Sequence, residues 1–207
     1  NPSYQTSELE YALGHAGVST LITAPHFRDS DYLAKLFVLA PELSTARPGE
    51  LRAKKIPKLK RVIQLGPDPV QGAMSFDEVM DRGGVAPKSR LDGISASLSP
   101  DDAINIQFTS GTTGRPKGAT LSHRSIINNA ISTARAMHLT PEDVLCIPVP
   151  LYHCFGMVLG NLAAISYGAK MVFPSEGFDP VATLEAVQTE RCTALHGVPT
   201  MFSAMLD

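Results

Sequence analysis

Residues 109–118, TSGTTGRPKG, carry the most information about the fold and chemistry of this chain. Ile104, Ile106 and Phe108 alternate with polar residues just before them, which predicts a strand that runs into a loop. The loop contains four hydroxyl side chains within five residues, three glycines and two cations. Glycines let a backbone approach a ligand closely, and amide and hydroxyl donors beside a cation suit a polyphosphate. We therefore predict a phosphate-binding loop.

The spacing of this loop differs from that of a Walker A motif, which requires G-x-x-x-x-G-K-[ST]. Gly111 and Gly114 are three residues apart, and Gly118 follows Lys117 where a Walker A motif has Ser or Thr. P-loop kinases and GTPases are therefore disfavoured. On composition alone, a solvated polar loop between two strands is an equally good interpretation.

Helical and strand patterns alternate along the chain, which predicts an α/β fold with helices and strands in layered sheets. Residues 41–100 are less regular and are predicted to form an irregular connector region, with 87–100 a linker rich in Ser and Gly. Predicted helices begin near Ser7 (capped with Glu10), Ser30, Ser75 (capped with Glu78), Ser122, Phe155, Asp179 and Pro199, and predicted strands lie at 18–24, 61–65, 104–109, 119–121, 144–149, 170–173 and 194–198.

Two of these helices carry predictions about burial. The segment from Phe155 to Tyr167 is nearly all apolar, which predicts a helix covered on most sides. In the helix after Asp179, the residues Val181, Leu184 and Val187 recur at helical spacing and are predicted to face the core.

Composition excludes several classes of protein. The 207 residues are 43% hydrophobic and 18% charged, with a net charge of -2, so binding to nucleic acid through overall charge is not expected. No stretch approaches the roughly 18 apolar residues of a membrane span. Three cysteines without a CxxC pair predict neither a disulfide framework nor a metal site, and favour a reducing compartment. The basic run at 52–61 is interrupted by Pro57 and is predicted to be a solvated loop.

Several segments resemble the adenylate-forming superfamily, which comprises acyl-CoA synthetases, luciferases and the adenylation domains of peptide synthetases. TSGTTGRPKG looks like its signature phosphate loop. Residues 150–156, PLYHCFG, resemble the motif that lines the carboxylate site, and residues 197–202, GVPTMF, resemble a segment at the acyl pocket. The resemblance spans the whole chain and is strongest to the medium-chain fatty acid–CoA ligases.

The resemblance implies two sets of site residues. In the family, His153 borders the acid, where it can orient the carboxylate or gate the acyl tunnel. His196, at the end of a predicted strand, is a weaker pocket candidate. The implied phosphate-binding residues are Thr109, Ser110, Gly111, Thr112, Thr113, Gly114, Arg115, Pro116 and Lys117, and the implied acyl and carboxylate pocket consists of Tyr152, His153, Gly197, Val198 and Pro199.

The resemblance also implies an activity. The chain is expected to be part of the large N-terminal AMP-binding domain, over residues 1–207, of an ATP-dependent fatty acid–CoA ligase that works through an acyl-adenylate and prefers medium-chain acids. ATP and CoA would be substrates and Mg²⁺ would be required. The family's Tyr-Gly-x-Thr-Glu and Thr-Gly-Asp segments and its C-terminal lid with a catalytic lysine are not found, so neither a catalytic residue nor a magnesium ligand is assigned. Bacterial cytoplasm and mitochondrial matrix are both compatible locations.

Other interpretations stay open. A luciferase-like enzyme fits the same residues. An amino-acid-activating domain is disfavoured because no acidic residue lies between Asp143 and Glu176 to pair with a substrate ammonium. A nucleotide-binding module without activity is a third alternative.

We predict that the 207 residues expressed alone form no acyl-CoA, because the expected ribose-binding, metal-binding and lid segments lie outside them. Weak ATP binding is expected to remain, since the predicted phosphate loop is present. The measurement is an assay with ATP, CoA and fatty acids of graded length. Acyl-CoA formation by this chain would show that the catalytic parts were assigned to the wrong regions.

Overall fold

A computed structural model describes residues 2–109 and 116–207. The chain separates into two compact units, Asn1–Leu98 and Ser99–Asp207. Helices and strands alternate in both units, which confirms the predicted α/β class. Among the described residues, no helix has the length and apolar character needed to cross a membrane.

The first unit is built on a small parallel sheet. Its strands lie in the order β1-β4-β5, and a short antiparallel pair, β2 with β3, precedes the second helix. The elements are α1 (Thr6–His15), β1 (Thr20–Thr23), β2 (His26–Phe27), β3 (Ser30–Asp31), α2 (Tyr32–Leu39), a 3-10 helix (Pro41–Thr45), β4 (Arg61–Gln64), β5 (Met74–Ser75), α3 (Phe76–Gly84) and α4 (Lys88–Ser97).

The core of this unit forms where α2 and the 3-10 helix pack with the segment that contains the basic run. Leu36, Leu39 and Leu43 are buried together with the apolar residues that punctuate the run, Leu51, Ala53, Ile56 and Leu59. The charged residues between them are exposed, which confirms a solvated face: Arg52, Lys54, Lys55, Lys58, Lys60 and Arg61.

Two sequence predictions fail in the first unit. Residues 87–100 were predicted to be a linker, but Lys88–Ser97 form α4, because the prolines of this stretch, Pro87 and Pro100, flank the helix and none interrupts it. The first helix begins one residue earlier than its predicted cap, at Thr6, and the Glu8 carboxylate accepts a hydrogen bond of 2.8 Å from the Gln5 N–H.

The second unit contains an antiparallel hairpin and a separate parallel sheet. Strands β6 and β7 form the hairpin, and the parallel sheet has the order β10-β8-β9. Its elements are β6 (Ala103–Thr109), β7 (Lys117–Ser122), α5 (His123–Ala136), β8 (Val144–Cys146), a π-helix (Phe155–Leu162), α6 (Ala163–Tyr167), β9 (Lys170–Val172), α7 (Pro180–Thr189), β10 (Ala194–Leu195) and α8 (Pro199–Leu206).

Side-chain caps start two of these helices as the sequence predicts. The Ser122 hydroxyl accepts a hydrogen bond of 3.2 Å from the Ser125 N–H at the start of α5. The Asp179 carboxylate accepts one of 2.8 Å from the Ala182 N–H at the start of α7, with Pro180 at the first helical position. The predicted Ser75 cap of α3 makes no such bond, although the helix begins there.

The apolar segment from Phe155 to Tyr167 is helical as predicted, but its first eight residues form a π-helix, and α6 follows directly. The segment is covered on most sides, since its residues are buried or half-buried with two exceptions, Ile165, which is 61% exposed, and Ser166. The fully buried residues are Gly156, Val158, Gly160, Ala163 and Ala164.

The predicted inward face of α7 is also wrong. Val181 is 63% exposed and Leu184 is 46% exposed, whereas Thr183 is fully buried. The Thr183 hydroxyl donates a 2.6 Å hydrogen bond to the Asp179 carbonyl oxygen, so its polar atom is satisfied inside the helix. A polar residue whose hydroxyl bonds to its own helix is thus the one that faces the core.

We expect Leu36→Ala to lower the free energy of unfolding of the first unit by about 2–5 kcal/mol, because it leaves a cavity in a packed core. Leu36 is 1% exposed. The matched control is Val38→Ala on the same helix, where the side chain is 58% exposed and the expected change is within about 0.5 kcal/mol. Chemical denaturation measures both. Equal losses in the two variants would show that the core has been placed on the wrong face of α2.

Candidate active site

The two ends of the predicted phosphate loop lie side by side. Thr109 ends β6 and Lys117 begins β7, the two residues are paired in the antiparallel register, and the Thr109 hydroxyl donates a 3.4 Å hydrogen bond to the Lys117 carbonyl oxygen. Both residues are exposed, and Pro116 is half-buried. The remaining loop residues of the prediction lie outside the described residues, and their role stays a prediction: Ser110, Gly111, Thr112, Thr113, Gly114 and Arg115.

The hairpin that carries the loop is closely packed at Gly118. A Cβ at Gly118 would lie 2.9 Å from the Ile106 side chain across the strand pair, so a larger residue would force that side chain to shift. Residues 119–121, predicted to be a strand, pair with the strand before the loop.

An ion pair fixes the base of the hairpin to helix α5. The Arg124 Nε donates to Asp101 Oδ1 at 2.7 Å, and Nη2 donates to Oδ2 at 3.0 Å. The hydrogen bond from Arg124 is the main cause that lowers the pKa of the Asp101 carboxyl. Since both groups are exposed, the pair adds little to the free energy of unfolding. Its main effect is to position α5 relative to the hairpin.

The two predicted pocket segments meet at one edge of the parallel sheet. Residues 150–156 follow the carboxyl end of β8, and residues 196–199 follow the carboxyl end of β10, its parallel neighbour. The His196 N–H donates a 3.0 Å hydrogen bond to the Cys146 carbonyl oxygen and so extends the pairing to the first residue of its segment. In α/β sheets, ligands bind in the crevice beyond the carboxyl ends of the strands. The edge is therefore a candidate acyl site.

A network centred on Asp143 fixes this edge from the opposite end of the strands. The carboxylate accepts hydrogen bonds from the Thr193 hydroxyl at 2.7 Å, from the Thr140 N–H at 2.8 Å and from the Thr140 hydroxyl at 2.9 Å. These bonds, that of Thr193 first, lower the pKa of Asp143. The Thr193 oxygen also accepts from the Val144 N–H at 3.0 Å. Strands β8 and β10 thus start in a fixed register.

His153 presents a hydrogen-bond donor at this edge. Its Nδ1 lies 3.1 Å from the Phe155 N, which is a donor, so Nδ1 accepts and the neutral ring carries its proton on Nε2. The side chain is exposed, as is that of Tyr152. An exposed N–H suits a carboxylate oxygen as its partner. The role of His153 in orienting an acid stays a prediction.

His196 packs against the ring of Phe155. Its ring centroid is 5.2 Å from that of Phe155, whose N–H bonds to His153. The His196 side chain is 8% exposed, and its Nε2 is 3.3 Å from the Met137 Sδ. Burial lowers the pKa of His196, so the ring is neutral at physiological pH.

Glycines allow tight turns on both sides of the edge. A Cβ at Gly156 would lie 2.4 Å from the Pro150 carbonyl oxygen, a backbone atom that has little freedom to move. A Cβ at Gly197 would lie 3.0 Å from the Phe202 ring. Val198 is 39% exposed and caps α8, and Pro199 is its first residue. The structure therefore brings together all five predicted pocket residues as two adjoining segments: Tyr152, His153, Gly197, Val198 and Pro199.

The three cysteines are free, and the exposed Cys154 has its Sγ 3.7 Å from the His153 Nδ1. Burial raises the pKa of the Cys146 thiol to about 11, so it is protonated at neutral pH. In residues 2–109 and 116–207, no group of three or more His, Cys, Asp or Glu side chains is placed to hold a metal ion.

The sequence predicts that His196 lies at the end of a strand, and the structure places it as the first residue after β10, at the same sheet edge as His153. The contacts with Phe155 and Met137 join residues far apart in the chain, and no local pattern predicts them.

Comparison with known proteins assigns the chain to a family. The AMP-binding enzyme family matches residues 1–207. The chain is 43% identical over 207 residues to the acyl-CoA ligase sidI of Aspergillus fumigatus and 41% identical over 214 residues to the human mitochondrial medium-chain acyl-CoA ligase ACSF2. All of this chain and 34% of each relative are covered, so it spans about a third of their length.

Solved structures show the same fold. The crystal structure of ATP-bound MatB from Rhodopseudomonas palustris matches with a TM-score of 0.69 and 28% identity, over 100% of this chain and 35% of that one. A long-chain-fatty-acid-CoA ligase from Archaeoglobus fulgidus matches with a TM-score of 0.70 at 24% identity, over 100% of this chain and 35% of that one, and supports the fold alone.

The lowered pKa of His196 predicts a pH-dependent stability. The unfolded chain binds a proton at the ordinary value of 6.5, and the folded chain binds it only at lower pH, so unfolding is favoured as pH falls below 6.5. We expect the free energy of unfolding to decrease from that pH downward, and His196→Phe to weaken this decrease. The lowered pKa values of Asp101 and Asp143 also decrease the free energy of unfolding as pH falls, but only near and below pH 3.8.

Denaturation curves between pH 7 and about pH 5 measure this effect. The control is Met171→Leu, which alters a residue packed on the same core cluster but leaves the imidazole in place and should keep the wild-type slope. An identical slope in His196→Phe would show that His196 is not the group responsible.

Proposed function

Because the chain belongs to the AMP-binding enzyme family, we propose that it is the part of an ATP-dependent fatty acid–CoA ligase that holds the ATP phosphates and the acyl group. The proposal rests on one observation. Two segments adjoin at one edge of the parallel sheet, one with Tyr152 and His153 and the other with residues 197–199. The hairpin that carries the predicted phosphate loop belongs to the same unit.

The proposed reaction has two steps. A carboxylate oxygen attacks the α-phosphorus of ATP, the new C–O–P linkage forms, and the bond to the β-phosphate breaks with release of pyrophosphate. The thiol of CoA then attacks the acyl carbon, loses its proton, and displaces AMP to leave the thioester. The first step needs an oriented carboxylate and a stabilised leaving group, and these are the two tasks assigned to the residues of this chain.

His153 performs the first task in this proposal. Its Nε2–H donates to one carboxylate oxygen, because Nδ1 is occupied by the Phe155 N–H. This bond leaves the second carboxylate oxygen of the acid free to attack the α-phosphorus of ATP. A backbone-fixed imidazole keeps one orientation, so little conformational freedom is lost when the acid binds.

Lys117 performs the second task. It begins β7, and its backbone is paired with Thr109, so its Cα position is fixed at the mouth of the loop. Negative charge increases on the β- and γ-phosphates as pyrophosphate departs, and an ammonium there stabilises the transition state more than bound ATP. Donors from the loop complete the cradle, by the family resemblance: Ser110, Thr112 and Thr113.

The proposed acid is a medium-chain fatty acid, supported by relatives named as medium-chain acyl-CoA ligases. An amino acid is less suited, because residues 144–175 contain no Asp or Glu to pair with an ammonium. Mg²⁺ and CoA are further proposed requirements, with no metal ligand assigned among the described residues. The proposed location is the mitochondrial matrix or the bacterial cytoplasm, and it is supported by one relative named as mitochondrial and another from Bacillus subtilis.

Product analysis tests the proposed function. The enzyme at its full natural length is incubated with ATP, Mg²⁺, CoA and octanoic acid, and the products are identified by mass spectrometry. Octanoyl-CoA, AMP and pyrophosphate are expected in equal amounts. ADP with inorganic phosphate, or no thioester with any acid from short to long chain, would contradict it.

We predict that Lys117→Ala lowers kcat for adenylation by on the order of 10²-fold, because it removes one transition-state stabiliser. The affinity for the acid should change little. Arg135→Ala is the control, since it removes one exposed cation at the end of α5 and should leave kcat unchanged. A raised KM for ATP with unchanged kcat would mean that Lys117 binds ground and transition states equally.

A further inference from the structure

His196 is a buried side chain whose hydrogen-bonding capacity is only half used. The residue is 8% exposed, and its Nδ1 is buried without a hydrogen-bond partner in residues 2–109 and 116–207. Buried polar atoms without partners are rare because each has lost its bonds to water. An atom of this kind at the end of a parallel strand, beside a candidate acyl site, points to a ligand.

The contact with Met137 determines what that ligand must offer. The thioether Sδ lies 3.3 Å from Nε2 and carries no hydrogen, so a hydrogen bond between them requires the proton on Nε2. Burial also keeps the ring neutral at physiological pH by lowering the pKa of His196. A neutral ring protonated on Nε2 leaves Nδ1 as an acceptor. The missing partner is therefore a donor, O–H or N–H, and a carboxylate is excluded.

Two imidazoles with opposite hydrogen-bonding roles thus contact Phe155, one at its backbone N–H and the other at its ring. His153 accepts from the Phe155 N–H and presents Nε2–H, a donor. His196 contacts the Phe155 ring, with 5.2 Å between centroids, and holds Nδ1 as an acceptor. A molecule with a carboxylate and a nearby hydroxyl matches both groups, because the first accepts and the second donates.

We propose that His196 is a specificity-determining residue that accepts a hydrogen bond from a hydroxyl group close to the carboxylate, so that the preferred acids are hydroxylated fatty acids. This inference rests on the proposed function, since it assigns a substrate class to the same acyl site. A site built to bond a substrate hydroxyl discriminates strongly against the analogue that lacks it, because the buried partner is then left unpaired. We expect a preference of about tenfold or more in kcat/KM.

The test compares octanoic acid with 2-hydroxyoctanoic and 3-hydroxyoctanoic acids in the full-length enzyme. The ω-hydroxy acid serves as a control for hydroxyl position and should show no preference.

The variants separate the acceptor from the ring. His196→Phe removes the acceptor and keeps an aromatic ring against Phe155. His196→Asn places an amide oxygen near the position of Nδ1 and should retain part of the preference. Met171→Leu alters a residue that packs against the same core cluster as Phe155 and Met137. It leaves both imidazoles in place and should keep the full preference for the hydroxylated acid.

The readout is the ratio of kcat/KM for the hydroxylated acid to that for octanoic acid. This ratio does not depend on the fraction of enzyme that is folded, so a merely structural role of His196 would leave it unchanged. The inference predicts a high ratio in the wild type, a ratio near one in His196→Phe and an intermediate one in His196→Asn. The wild-type ratio alone is informative if a variant fails to fold.

Three results would overturn the inference. Octanoic acid activated as well as both hydroxy acids would show that no substrate hydroxyl bonds to Nδ1, and the proposed function would stand. A high ratio that persists in His196→Phe would assign the preference to another residue. Failure to activate any acid would remove the proposed function and this inference with it.

Discussion

The parallel pairing of β8 with β10 is the constraint on which the candidate site depends. Only two residue pairs join the strands, Ala194 with Leu145 and Leu195 with Cys146. Such a short ladder needs other support, and the Asp143 carboxylate supplies it by bonding to Thr140 and Thr193 at the amino ends of the strands. With the register fixed there, the segments that leave the carboxyl ends are brought side by side.

The helix after the first of these segments completes the arrangement. Phe155 begins the π-helix, donates its N–H to His153 and places its ring against His196. The absence of a side chain at Gly156 permits its close approach to the Pro150 carbonyl at the start of this helix. One residue therefore contacts two imidazoles, which lie in the segments that follow two different strands.

Local patterns in the sequence predict most of the elements, because alternation and capping are local properties. The hairpin around residues 104–121, the cap at Ser122 and the cap at Asp179 follow from residue types a few positions apart. The linker predicted at 87–100 is in fact the helix α4. The sequence did not indicate this helix, because it has no buried face and shows little amphipathic contrast. Val181 and Leu184 were predicted to face the core, but Thr183 occupies the buried position on α7. Thr183 can be buried because its hydroxyl is hydrogen-bonded within the helix.

The candidate site was predictable in part. Resemblance identified Tyr152, His153 and the segment from Gly197, and the structure brings these residues to one edge. The burial of His196 and its contacts with Met137 and Phe155 were not predictable from the sequence. Those contacts arise from tertiary packing, which local periodicity does not encode.

The exchange of labelled pyrophosphate into ATP tests the central claim most directly, that carboxylate and triphosphate react at one site to form an acyl-adenylate. The full-length enzyme is given ATP, Mg²⁺, labelled pyrophosphate and a fatty acid, with CoA left out. The account predicts that label enters ATP only when the acid is present, because adenylate formation precedes and does not need the thiol. Exchange that requires CoA, or that proceeds equally without the acid, would contradict it.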